Sequence, residues 1–174
     1  MEALPHGLRR DRHVDLADRG GEPWMRRALI ALLTLAVVIA LLGVVGQTTT
    51  TLRAQVPAAT LTVKAPTRLR GGLFFQGRLD IVAHEHIHAP RLELGNGWTE
   101  QMQLNTIEPS PATETSSDGR LELGYDPMAS GDHLTIWMQF EVNPTAAGRR
   151  DRSVTLLDGT RVLAHLPAKV TVAP

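Results

Sequence analysis

The sequence predicts an all-β fold, an immunoglobulin-like β-sandwich preceded by a single N-terminal transmembrane helix. Three observations predict it. An unbroken apolar run lies near the N-terminus, apolar and polar residues alternate with period two through the remainder, and Gly- or Pro-bearing turn signals separate the alternating runs.

The apolar run is Ala28 to Val45, ALIALLTLAVVIALLGVV, in which Thr34 is the one polar side chain. Eighteen residues at about 1.5 Å each reach roughly 27 Å, close to the hydrocarbon thickness of a bilayer. Six arginines precede it (Arg9, Arg10, Arg12, Arg19, Arg26 and Arg27), while Arg53 and Lys64 are the near basic residues that follow. That asymmetry predicts a cytoplasmic N-terminus, with Trp24 at the inner boundary. The run is longer than the core of a cleaved signal peptide, and Val44-x-Gly46 is a poor cleavage site, so an uncleaved signal anchor is expected. Residues 1–27 mix six arginines with five acids and few large apolar residues, which predicts a disordered cytoplasmic tail. Residues 28–46 form the membrane helix. Residues 47–60, with the threonine run Thr48 to Thr51 and Pro57, read as a short stalk. Residues 61–174 are the extracytoplasmic sandwich. The expected localisation is the cell membrane, single-pass, with the bilayer contacted through residues 28–46.

Beyond the stalk the clearest strand carries Leu134, Ile136, Met138, Phe140 and Val142 on one face and Thr135, Trp137, Gln139 and Glu141 on the other. A second sets Leu73, Phe75, Gly77, Leu79 and Ile81 against Phe74, Gln76, Arg78, Asp80 and Val82. Shorter pairs are Leu61/Val63, Leu92/Leu94, Met102/Leu104, Leu121/Leu123, Val154/Leu156 and Val170/Val172. Tyr125 continues the register of Leu121 and Leu123 and is expected in the core. Asn96-Gly97, Asp118-Gly119 and Asp158-Gly159 can supply the positive φ angles of tight turns. Pro66, Pro90, Pro109, Pro111, Pro127 and Pro144 fall between runs or at their ends. Seven to nine short strands result, a number suited to a sandwich.

Composition narrows the function. Eighteen basic residues balance eighteen acidic ones, which leaves no excess charge for nucleic acid. With no cysteine there is no disulfide, thiolate metal site or cysteine nucleophile. No nucleophile elbow, zinc-protease helix, phosphate loop or dinucleotide fingerprint occurs, so a binding or structural role is expected rather than an enzyme, without a cofactor.

The stretch Ser117 to Gly124, then Met128 to Ile136, then Val142 to Gly148 resembles the second half of bacterial surface Ig-like repeats of the DUF11 type. Those repeats combine a strand opening on Asp-Gly, a small-residue turn, a long alternating strand and a closing loop with Pro and Gly. The resemblance covers about 35 residues and implies a spacer or adhesive module of the envelope. The first half departs from the pattern, with His84-Glu85-His86-Ile87-His88 where the repeats have Asn-x-Gly.

Those histidines are the first site candidate. On a strand, His84, His86 and His88 project to one face about 7 Å apart, near enough for two imidazoles to share Zn²⁺ or Cu²⁺. The outer two are about 13 Å apart, so a third ligand such as His133, His165 or an acid has to come from elsewhere. Trp137 is the second, because a large ring in the polar register of the longest strand marks a contact surface. Trp98, after its turn, is expected to tuck under the sheet. Arg149, Arg150 and Arg152, in a loop after Gly148, are the third candidate, suited to an acidic partner or lipid headgroups, though such a cluster usually reads as a solvated turn. The leading expectation is a membrane-anchored extracytoplasmic module that associates with another envelope or membrane protein or a wall component. The alternative is an extracytoplasmic metal-binding domain using the histidine strand.

Overall fold

The computed structural model describes residues 22–41 and 47–173, and the chain separates into two units at the 46/47 boundary. The first holds the helix α1, Glu22–Leu41. Its large apolar side chains, from Trp24 and Met25 through Leu29, Leu33 and Val37 to Leu41, are all exposed. Thr34 turns its hydroxyl inward, donating to the Ile30 carbonyl at 2.8 Å. Among the described residues no helix is long and apolar enough to cross a membrane. The apolar run continues past Leu41 into residues 42–46, which lie outside the described residues, as does the expected tail up to residue 21.

The second unit is a β-sandwich of thirteen strands. One sheet has the order β1 (Thr49–Gln55), β2 (Ala59–Pro66), β4 (Phe74–Ala83), β9 (His133–Val142), β6 (Met102–Glu108). The other has the order β12 (Arg161–Leu166), β11 (Val154–Asp158), β5 (Pro90–Leu94), β8 (Arg120–Gly124), β7 (Thr113–Ser117). A small third sheet joins β10 (Gly148–Asp151), β13 (Lys169–Ala173) and β3 (Arg68–Arg70). Its β13–β3 pair is the one parallel pairing among the described residues, where β3 follows β2 after a break at Thr67.

The alternating residues do what period two demands. Ile136, Met138, Phe140 and Val142 of β9 and Phe75, Leu79 and Ile81 of β4 are buried. They meet Leu92 and Leu94 of β5, Leu121 and Leu123 of β8, and Val154 and Leu156 of β11 in one apolar cluster. Phe75 stacks on Phe140 at 5.0 Å between ring centroids. Trp98 tilts against Phe140 at 5.6 Å and donates its indole N–H to the Arg152 carbonyl at 3.2 Å. The expected tuck is therefore real, and Gly77 makes room for it: a Cβ there would lie 2.7 Å from Trp98 Cζ3.

Several segments differ from expectation. The segment read as a stalk contains β1, paired along its length with β2, because Leu52, Ala54 and Val56 alternate with polar residues and reach the core. Asn96-Gly97 forms a short 3-10 turn with Trp98, without the positive φ expected there. Asp118-Gly119 does close a hairpin, with φ of 51° and 75° joining β7 to β8. Leu73 lies outside β4 and is exposed, since the strand begins at Phe74. The loop expected to carry Arg149 and Arg150 is strand β10, held by β13.

Candidate functional site

The outer face of the larger sheet is built by the residues alternating with the core positions. In the register of β4 and β9, Arg78 lies opposite Trp137, Asp80 opposite Thr135, and Gln76 opposite Gln139. Trp137 is 38% exposed, so about a third of the ring is free for contact. The Arg78 guanidinium lies 4.7 Å from the ring centroid, a cation–π arrangement. Arg78 is fixed in turn: its Nε donates to Asp80 Oδ1 at 2.8 Å, and its Nη2 pairs with the same oxygen at 2.8 Å. Thr135 adds a hydroxyl donated to that oxygen at 2.8 Å. A half-exposed ion pair contributes little to stability, roughly 0–1 kcal/mol. Its effect here is positional, holding a cation over one side of an exposed ring.

On the other side of Trp137, β6 supplies Glu108 directly opposite, and a register shift between Leu104 and Thr106 turns Thr106 towards the same face. Gln76, Thr106, Glu108, Trp137 and Gln139 line a shallow open groove. The surface therefore offers one aromatic plane, amide and hydroxyl groups, and charges of both signs.

The histidine candidate requires a correction. Strand β4 ends at Ala83, and residues 84–89 leave it as a loop in which Ile87 drops into the core and bridges Met128. The common face that a strand would give is lost. His84 Nε2 meets Thr60 Oγ1 at 2.8 Å, while His86 and His88 rest edge to face with centroids 4.4 Å apart. His88 Nδ1 lies 3.7 Å from Asp158 Oδ2. Among the described residues no group of three or more His, Cys, Asp or Glu is placed to hold a metal, so Zn²⁺ or Cu²⁺ binding by His84, His86 and His88 is not supported.

The arginine cluster also divides. Arg149 is exposed. Arg150 is drawn to its own domain, donating to Gln101 Oε1 at 2.6 Å and to the Ala147 carbonyl at 3.3 Å, with Glu100 Oε1 at 3.4 Å. Arg152 is buried, which removes it from any partner surface. Its guanidinium carbon lies 4.1 Å from the centroid of Trp98 and 4.8 Å from that of Phe75. Burial pushes its pKa down to about 9, which leaves it a cation at neutral pH. The sequence missed Arg78 and Asp80 as partners of Trp137. Their shared outward register was visible in the alternation, but the β4–β9 pairing was not.

No protein-family model matches the chain, and no similar curated protein is found. Solved structures give partial overlaps. A non-cellulosomal cohesin from Archaeoglobus fulgidus aligns with TM-score 0.42 at 12% identity, covering 63% of this chain and 88% of that one. The CARDB domain of a Pyrococcus furiosus protein in complex with di-metal ions gives 0.43 at 12%, covering 68% and 96%. CaCohA2 from Clostridium acetobutylicum gives 0.44 at 12%, covering 68% and 93%. Likeness at this level says nothing about ligands or partners.

Proposed function

We propose that the chain is a membrane-anchored, extracytoplasmic binding module whose sandwich associates with another envelope protein or a wall component, without catalysis. The observation that carries the binding role is Trp137, exposed at the centre of a polar sheet face and held by Arg78. Ordering such a ring in advance lowers the entropic cost of docking, and a pre-placed Trp beside Arg is the usual composition of a binding hot spot. The anchor rests on residues 28–46. A helix apolar on all sides has no polar face to turn to water, and the arginine excess before it favours a cytoplasmic N-terminus.

The test uses the full chain extracted in mild detergent, side by side with Trp137→Ala. Companions cross-linked to the parent chain at stoichiometric yield should be lost from the variant, and isolated peptidoglycan should be tried as the wall component. A hot-spot Trp carries about 2 kcal/mol or more, so affinity for the identified companion should fall by roughly thirtyfold or more. The thermal transition should move little. Equal binding by both chains sinks the reading of this face.

A further inference from the structure

The buried Arg152 has a polar environment that its own chain leaves incomplete. Its residue is 3% exposed, yet Nε and Nη2 have no hydrogen-bond partner. Nη1 donates to the Pro66 carbonyl. Trp98 and Phe75 lie against the guanidinium as aromatic planes. Nε–H and Nη2–H remain, the two donors that share one side of the guanidinium plane and point in parallel, which is the fork that binds anions in bidentate fashion.

This arginine also lines a small cavity. It is bounded by β1 and the end of β2 (Thr50, Leu52, Val63), by Thr67, by Trp98, and by Lys169 at the start of β13, and measures about 20 Å³. That is room for about one body the size of a water molecule. Arg152 and Lys169 are the charged residues of the lining, which has no carboxylate, and among the described residues no acid forms an ion pair with Arg152. A buried charge with unused donors and no counter-charge is costly, and a ligand that accepts two hydrogen bonds while carrying a negative charge removes both costs. Water would satisfy the donors but not the charge. At about 20 Å³ the cavity suits a small anion better than a sulfate, a phosphate or a sugar.

We propose that this cavity binds a monatomic anion, chloride under physiological conditions, gripped by the Nε–H and Nη2–H fork of Arg152. Thr50 and Thr67 belong to the same lining, and each carries a hydroxyl that can serve as a donor. The site belongs to the interior between β1 and the β10–β11 and β12–β13 connections, and does not depend on the Trp137 face.

The experiment follows thermal unfolding of the full chain in detergent while gluconate is exchanged for chloride at fixed ionic strength. Saturable binding at about a hundredfold excess over Kd should raise Tm by roughly 5–11 °C. Bromide should reproduce the rise and sulfate should not. Arg152→Met should abolish it, and Arg152→Lys, which keeps the charge and loses the fork, should shift the half-point at least about tenfold upward. An equal Tm in chloride and gluconate overturns the proposal, as does an undiminished rise in Arg152→Met. Should that variant fail to fold, crystals of the parent chain in bromide decide. An anomalous peak within hydrogen-bond reach of Nε and Nη2 at 0.1–0.2 M bromide (about physiological halide, on the scale of ordinary ionic strength) supports the site. A water in that place, or a peak only at molar bromide and hence an adventitious ion only, overturns it.

Discussion

At the scale of single residues, close packing decides what can change. Gly77 sits on β4 beneath the Trp98 ring, and a methyl group there would approach Cζ3 at 2.7 Å. Trp98 cannot retreat, being fully buried against Phe140 and tied through its indole N–H. Gly77→Ala should therefore destabilise the sandwich by about 1–3 kcal/mol, read as a lower denaturant midpoint at unchanged slope. Tyr125 gives a pH signature. Burial, with Glu114 in support, pushes its phenol up to about 12 from an ordinary value of 10. A raised folded-state pKa contributes stability that is present below pH 10 and lost as pH climbs through 12. Arg152 acts in the opposite sense, since a guanidinium lowered to about 9 favours the folded chain as pH rises above 9. The difference between parent and Tyr125→Phe isolates the phenol: the parent's advantage should shrink between pH 10 and 12 in Tm measurements, and a constant difference would refute the assignment. The outward register of Trp137 was legible from alternation alone. The burial of Arg152 was not, because Arg-Arg-Asp-Arg reads as a solvated turn and its aromatic neighbours stand far away in sequence.

At the scale of elements, alternation located the long strands and their inward faces, and it failed where a strand is short or polar. β7, Thr113–Ser117, is exposed throughout and has no apolar face to announce it; it is a sheet edge written in Thr, Ser and Glu, which discourages further pairing. The histidine segment misled for a related reason. Its spacing fits a strand, but Ile87 at the intervening position has a stronger claim on the core than three imidazoles have on a common face. β1 is the sharpest case, since a threonine run after an apolar helix resembles a tether. Its pairing with β2 and the packing of Leu52 on the core make it a structural strand. Leu52→Ala should thus cost about 1–2 kcal/mol, less than a fully buried leucine because Leu52 is only partly covered. A tether would leave the change within about 0.5 kcal/mol, so chemical denaturation separates the two.

At the scale of the whole molecule, the chain joins two units whose surfaces differ in polarity. The sandwich keeps most of its apolar residues inside and presents mixed charge outside, whereas the helix of the first unit exposes leucine, isoleucine and valine on every side. Water penalises such exposure at about 25 cal/mol per Å² of apolar surface. The proposed resolution is a bilayer around residues 28–46, with Thr34 harmless there because its hydroxyl is satisfied within the helix. One substitution tests the balance. An arginine placed at the middle of the run costs about 2.5–3.5 kcal/mol on insertion scales, and Arg26 and Arg27 already weight its N-terminal end. Leu35→Arg should accordingly shift much of the chain from the carbonate-resistant membrane fraction to the soluble fraction, whereas Leu35→Ala should leave it in place. Protease added to intact cells or spheroplasts should digest residues 47–174 of the parent chain and spare its N-terminus. Protection of the sandwich would reverse the orientation, and release of the parent chain by carbonate would remove the anchor altogether.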